Sequence, residues 1–185
     1  SRVPITAGDT IVVLGAGTIG LFILQAARLR SAGTVIASDI NDFRLDLAKR
    51  VGADICVNSH KADLKQEILK RTEGRGADVV FEAVGFGETF RQAVSVARAG
   101  GQIVAVGNLQ KEIEINLQEL VSRELTFTGS YASSGEFRTC IGLIASGQIN
   151  VAPLVSEVLP LQEGPAAFQR LLGGKENLLK IVLEP

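Results

Sequence analysis

Ile11-Val12-Val13-Leu14-Gly15-Ala16-Gly17-Thr18-Ile19-Gly20 is the stretch whose reading decides the fold. Thr10 to Leu14 is short, rich in β-branched residues and free of polar alternation, as a strand buried on both faces of a parallel sheet must be. Thr18 to Arg30 reads as a helix, and its first turns (Ile19, Leu21, Phe22, Ile23, Leu24) are apolar nearly all round, which implies deep packing. Between strand and helix stands G-x-G-x-x-G. Gly15 permits the tight turn, Gly17 lets the backbone approach a pyrophosphate, and Gly20 lets the helix press on the strand. The free N–H groups of the first helical turn and the helix dipole then face the phosphates. Gly15, Gly17, Thr18, Ile19 and Gly20 are therefore candidate contacts to a dinucleotide.

The same alternation continues downstream. Strands are expected at Thr34 to Ser38, Asp54 to Val57, Asp78 to Glu82, Gln102 to Val106 and Leu125 to Gly129. Helices are expected at Asp42 to Val51, with Asp42 as N-cap and Gly52 at the C-cap, and at Asp63 to Arg71, Glu88 to Arg98, Leu117 to Ser122 and Ser134 to Ser146. Such order means right-handed βαβ units and a sheet covered on both faces: an α/β, doubly wound, six-stranded parallel Rossmann sheet. Lys111 to Asn116 alternates charge with isoleucine, the period of a half-exposed strand. Composition shifts after Asn150, so residues 1–151 read as one domain and 152–185 as a strand-helix-strand tail, Val155 to Leu159, Gln162 to Leu172 and Leu178 to Leu183. The chain opens on Ser1, and Val3 to Asp9 reads as a polar approach to a strand, so we expect a fragment or a processed chain.

Asp39 ends the second strand about twenty residues past the last glycine, where an acidic side chain meets a ribose 2′-OH. It reads alternatively as an N-cap, although Asn41 and Asp42 already supply caps. Ile40 follows it. Arg44, one turn on, is placed to flank the adenosine and reads equally as a solvated helix residue. Ligands of open α/β sheets bind outside the carboxyl ends of strands where the strand order reverses. The stretches there, Glu82-Ala83-Val84-Gly85, Val106-Gly107-Asn108 and Gly129-Ser130-Tyr131, combine small residues and glycines that let a ring and ribose approach. Ala83, Val84, Gly85, Val106, Gly107, Asn108, Ser130 and Tyr131 complete the candidate cofactor contacts. Gly135 stands where a lysine would complete a Y-x-x-x-K dyad with Tyr131, so no catalytic residue is assigned.

The 185 residues carry a net charge of −1 with 46% hydrophobic and 21% charged residues, a balance that implies neither disorder nor a surface for nucleic acid. The most apolar run, Leu21 to Ala27, is far shorter than the roughly 20 residues of a membrane span. Cys56, Cys140 and the single His60 form neither a disulfide framework nor a metal cage, so we expect no metal in this chain and a reducing cytoplasm.

From Gly8 to Pro185 the chain resembles the cofactor domain and C-terminal tail of the zinc-type, medium-chain alcohol/polyol dehydrogenases, in the branch with sorbitol and threonine dehydrogenases. Gly8-Asp9-Thr10 before Val12 to Gly20, Ser38-Asp39 with Arg44, Glu82-Ala83-Val84-Gly85 and Val106-Gly107 carry the resemblance. So does the tail, Leu159-Pro160-Leu161 through Ala166-Ala167-Phe168 to Lys180-Ile181-Val182. The resemblance implies NAD as cofactor and hydride transfer between a small secondary alcohol or polyol and nicotinamide. It places zinc and the proton relay in an N-terminal, chaperonin-10-like domain that this chain lacks, and leads us to expect Val155 to Leu159 and Lys180 to Leu183 to pair with that domain. It also supports a homodimer joined edge to edge through 111–116. Two alternatives share the glycine turn and the acidic residue: a nucleotide-sensing regulatory module, and an S-adenosylmethionine-dependent methyltransferase, which closes its sheet with an antiparallel strand.

Overall fold

The structure is a computed structural model that describes residues 3–133 and 135–185. The first strand, β1 (Thr10–Leu14), runs into helix α1 (Thr18–Leu29). Then follow β2 (Thr34–Asp39), α2 (Asp42–Arg50), β3 (Ile55–Asn58), α3 (Leu64–Arg71), β4 (Ala77–Glu82), α4 (Gly87–Val96), β5 (Ala97–Ala105), α5 (Leu117–Ser122), β6 (Thr126–Gly129) and α6 (Phe137–Ala145). These six strands form one parallel sheet in the order β3-β2-β1-β4-β5-β6, reversing direction of travel between β1 and β4.

Both faces of β1 are buried, which is why its sequence has no polar alternation. Ile11 and Val13 pack with Leu21, Leu24 and Ala27 of α1 and with Leu45, Leu47 and Ala48 of α2. Val12 and Leu14 point the other way, into Leu64 and Ile68 of α3 and Ala93 and Val94 of α4. Each fully buried Leu or Ile contributes about 1.5–3 kcal/mol. Helix α1 is less enclosed than its composition suggests, since Ile19 is 56% exposed.

Several expected boundaries move for identifiable reasons. Helix α2 is capped by Asn41, whose side chain accepts from the Arg44 N–H, rather than by Asp42. Helix α4 stops at Val96 because Ala97 leaves it to pair with Ala77, so β5 starts five residues before Gln102 and carries a register shift. Helix α6 covers Phe137–Ala145 of the expected 134–146, and Ser134 lies outside the described residues. Residues 111–116 are not a strand: an alternating pattern forms a ladder only against a neighbour, and no strand among the described residues pairs with them.

The tail forms β7 (Glu157–Pro160), α7 (Gly164–Gly173) and β8 (Ile181–Glu184). The two tail strands, expected to pair elsewhere, pair in parallel with each other. The buried Gln25 side chain on α1 anchors the start of the tail, accepting from the Asn150 N–H at 2.7 Å and donating to the Asn150 carbonyl at 3.2 Å.

Opposite the carboxyl edge, the sheet is closed by Asp78. This buried carboxylate accepts from the Thr10 N–H at 2.8 Å, from both Arg75 guanidinium nitrogens at 2.6 and 2.8 Å, and from Arg98 Nε at 2.6 Å. Burial pushes the carboxyl up, but Arg75, the Thr10 amide and Arg98 outweigh it and hold it well below the usual carboxylate range. A lowered folded-state value means the contribution is complete above the ordinary carboxylate range and fades as pH falls beneath it. Replacing Asp78 with Asn should therefore cost about 2–3 kcal/mol at pH 7. Urea unfolding should show the difference from the unmodified chain shrinking below about pH 4; a gap constant from pH 7 to pH 3 would contradict it.

Candidate functional site

The carboxyl ends of β1, β2, β4, β5 and β6 face one side because all these pairs are parallel. Gly15 turns the chain out of β1 with φ +93°, a conformation L side chains rarely adopt, and a Cβ there would lie 2.7 Å from Val84 Cγ2. At Gly20 a Cβ would fall 1.8 Å from the Gly15 carbonyl oxygen, so only glycine lets α1 begin so close to β1. Gly17 differs: a Cβ on it would meet nothing within 4 Å. It is the N-cap of α1, and no side chain caps the N–H groups of the first helical turn, which in any helix lack an intrahelical partner.

Asp39 sits beside this turn. Its Oδ2 accepts from the Ala16 N–H at 2.7 Å and its Oδ1 from the Asn41 N–H at 2.9 Å. The residue is only 8% exposed, and Arg44 is the nearest cation, its guanidinium 3.8 Å from Oδ2. Asp39 is thus not the cap of α2. It ties the glycine turn to the end of β2, while Ile40 beside it is 58% exposed and offers an apolar platform at the same rim.

On the other side of β1, the Ala83-Val84-Gly85 loop packs on Gly15 through Val84 and on the 106–109 loop through Gly85, where a Cβ would lie 2.5 Å from the N atoms of Asn108 and Leu109. The Val106 and Gly107 N–H groups both donate to the Glu82 carbonyl at 2.9 Å. These three loops and the β2 end form a continuous rim. Thr18 lines its entrance, half-buried, and Asn108 is exposed on it. Ser130 is tied to the rim by its N–H donating to the Ala105 carbonyl at 2.9 Å, but Tyr131 stands apart, 79% exposed at the sheet's edge. Beside the rim, a cavity of about 310 Å³ opens between the start of α4 and the 110–114 segment, lined by Phe86, Gly87, Arg91, Gln110 and Ile113.

Sequence reading missed two features. One is the Ala16 contact of Asp39, which requires the β2 end and the glycine turn to be neighbours. The other is the side chain of Glu82, 0% exposed, whose Oε1 accepts from the N–H groups of Val84 and Gly85 and from the Thr89 hydroxyl. A carboxylate ending the apolar run Val79-Val80-Phe81 was the available signal.

The rim fits a dinucleotide in its donor set: an uncapped helix start for phosphates and a carboxylate for ribose hydroxyls. Zinc does not fit. His60 lies on an exposed loop, the Cys56 thiol donates to the Leu45 carbonyl, Cys140 is exposed on α6, and no three His, Cys, Asp or Glu side chains gather among the described residues. No helix among them is long and apolar enough to cross a membrane.

The chain is 31% identical to sorbitol dehydrogenase of Bacillus subtilis, over 100% of this chain and 53% of that protein. A zinc-binding dehydrogenase structure from Sinorhizobium meliloti 1021, bound to NADP, superposes with a TM-score of 0.89 at 32% identity, covering 98% of this chain and 54% of that one. Another from Escherichia coli CFT073, described as a short chain alcohol dehydrogenase complexed with NADH, gives 0.89 at 26% identity, with 98% and 53% covered. The chain spans about half the length of the curated relatives it matches. The family model described as zinc-binding dehydrogenase matches residues 18–146, most of the chain, and the chain belongs to that family.

Proposed function

We propose that the chain is the dinucleotide-binding half of an alcohol or polyol dehydrogenase and that its dinucleotide is NAD. The observation that carries most weight is Asp39, a buried carboxylate held by Ala16 N–H beside an uncapped helix start. On this reading its remaining lone pairs accept from the adenosine ribose hydroxyls, and the α1 N–H groups meet the pyrophosphate. Ile40 and Arg44 flank the adenine side, and the 83–85, 106–108 and 130–131 stretches receive the rest. When bound, the cofactor supplies the nicotinamide carbon that takes or gives hydride. The relatives' activity supports a secondary alcohol or polyol as substrate. The methyltransferase alternative is disfavoured by β6, which pairs in parallel. A sensing module has no need of the loops past β5 and β6.

A second reading, NADP, draws on the NADP-bound relative and on Arg44, the cation 3.8 Å from Asp39. Charge decides between them. The carboxylate gains a charge-assisted bond of roughly 1.5–3 kcal/mol with ribose hydroxyls and repels a 2′-phosphate. Fluorescence titration should give NADH affinity at least tenfold above NADPH, on the order of 1.4 kcal/mol or more, and none for S-adenosylmethionine. Asp39→Ala should narrow the gap mainly by weakening NADH. Equal affinity of the unmodified chain for both cofactors would overturn the NAD assignment.

Since no three zinc-ligating side chains gather among the described residues, the 185-residue chain should oxidise no alcohol when supplied with NAD and zinc, while still binding NADH. Zinc-dependent turnover by the purified chain would contradict this.

We further propose a cytoplasmic protein and a homodimer in which 111–116 pairs with the same segment of a second copy. The half-buried Ile113 and Ile115 alternate with charged residues in a segment that pairs with no strand among the described residues. Sedimentation at tens of micromolar should show a dimer, and Ile113→Lys a monomer; a dimer unaffected by that change would exclude this edge.

A further inference from the structure

We propose that Glu82 is a positioning residue for the dinucleotide, shaping the centre of the carboxyl edge through one oxygen of its side chain. The inference rests on the reading of this rim as a dinucleotide site and adds a residue to it. β4 lies in the middle of the sheet, between β1 and β5, so the end of β4 stands between the loops that follow those two strands. Oε1 of Glu82 gathers the N–H of Val84 at 2.9 Å, the N–H of Gly85 at 2.8 Å and the Thr89 hydroxyl at 2.7 Å. The backbone of the same residue holds the next loop, because its carbonyl accepts from Val106 and Gly107 N–H, and the following Ala83 N–H donates to the Leu14 carbonyl at 2.9 Å. Through Glu82, the turn after β1, the loop after β4 and the loop after β5 are fixed relative to one another.

The fit between those loops leaves no slack. A Cβ on Gly107 would stand 2.2 Å from the Gly85 N and 2.4 Å from the Val84 carbonyl carbon, and one on Gly15 would meet Val84 Cγ2. Val84 is therefore wedged between the glycine turn and the β5 loop, and its position follows from the bond its own N–H makes to Oε1. If Val84 moves, the backbone around Gly15 moves with it.

A buried oxygen left without a partner also marks this residue. Oε2 of Glu82 is buried and has no hydrogen-bond partner among the described residues. Local violations of this kind concentrate where a structure serves function.

The test is NADH binding by the full 185-residue chain, followed by fluorescence at least 15 °C below each variant's melting temperature. If the unmodified chain does not bind NADH, the dinucleotide reading fails and the inference falls with it. If it binds, Glu82→Ala should lose tenfold or more in affinity, and Glu82→Gln, whose amide oxygen still accepts from Val84 and Gly85, should come within threefold of the unmodified chain. A folded Glu82→Ala that binds as tightly as the unmodified chain, or a Gln variant as weak as Ala, overturns the positioning role while leaving the dinucleotide reading intact. Should Glu82→Ala not fold, Thr89→Val decides: it removes one of the three donors and should weaken NADH at least threefold, and unchanged affinity overturns the proposal.

Discussion

The approach of α1 to β1 sets the rest of the molecule. With 1.8 Å between a hypothetical Gly20 Cβ and the Gly15 carbonyl oxygen, any side chain at 20 would drive the helix away from the strand it covers. Because the helix stays close, Leu21 and Leu24 reach the face of β1 formed by Ile11 and Val13, and the uncapped helix start comes to lie over the carboxyl edge. One backbone contact thus produces both a packed core and a helix start without a side-chain cap at the carboxyl edge. A helix set further out would lose apolar contact and leave its N–H groups pointing past the rim.

The alternation of strands and helices was legible because it is encoded locally: a two-sided buried strand looks unlike an amphipathic helix in any five residues. Asp39 was legible for a similar reason, since a strand of known start and a helix of ordinary length place an acidic residue at a known rim. What sequence could not supply was partnership across the sheet. The bond from Ala16 N–H to Asp39 joins residues 23 apart, and the Glu82 contacts matter because β4 lies between β1 and β5, a fact of topology. Lys111 to Asn116 failed as a strand for the same reason, because alternation describes how a ladder would be used and not whether a neighbour exists.

The final third shows the converse. Helix α6 is amphipathic in sequence, with Phe137, Ile141 and Ile144 on one side, yet Phe137 is 75% and Ile141 53% exposed, and none of its residues is buried. The tail strands, each half-buried on alternate residues and exposed on the others, form a two-stranded parallel sheet, an arrangement that seldom occurs without further strands and covering helices. Hydrophobic pattern fixed these elements as helix and strand correctly. It carried no information about which surface receives them.

Three buried acidic side chains stand at opposite edges of the sheet, one at the amino edge and two on the proposed dinucleotide rim. Asp78 at the amino edge has two arginines and an amide, so its charge is spent inside the fold. Asp39 and Glu82, at the carboxyl edge, are held chiefly by backbone N–H groups, with only the more distant Arg44 near Asp39. Backbone dipoles orient a carboxylate without cancelling its charge, whereas a paired guanidinium does both. The amino edge is electrostatically closed. The carboxyl edge keeps one acidic group available to hydroxyl donors and sets it beside the positive end of α1, which favours phosphate. On the proposed reading, a ligand that offers hydroxyls and phosphates a few ångströms apart is the chemical complement of that pairing.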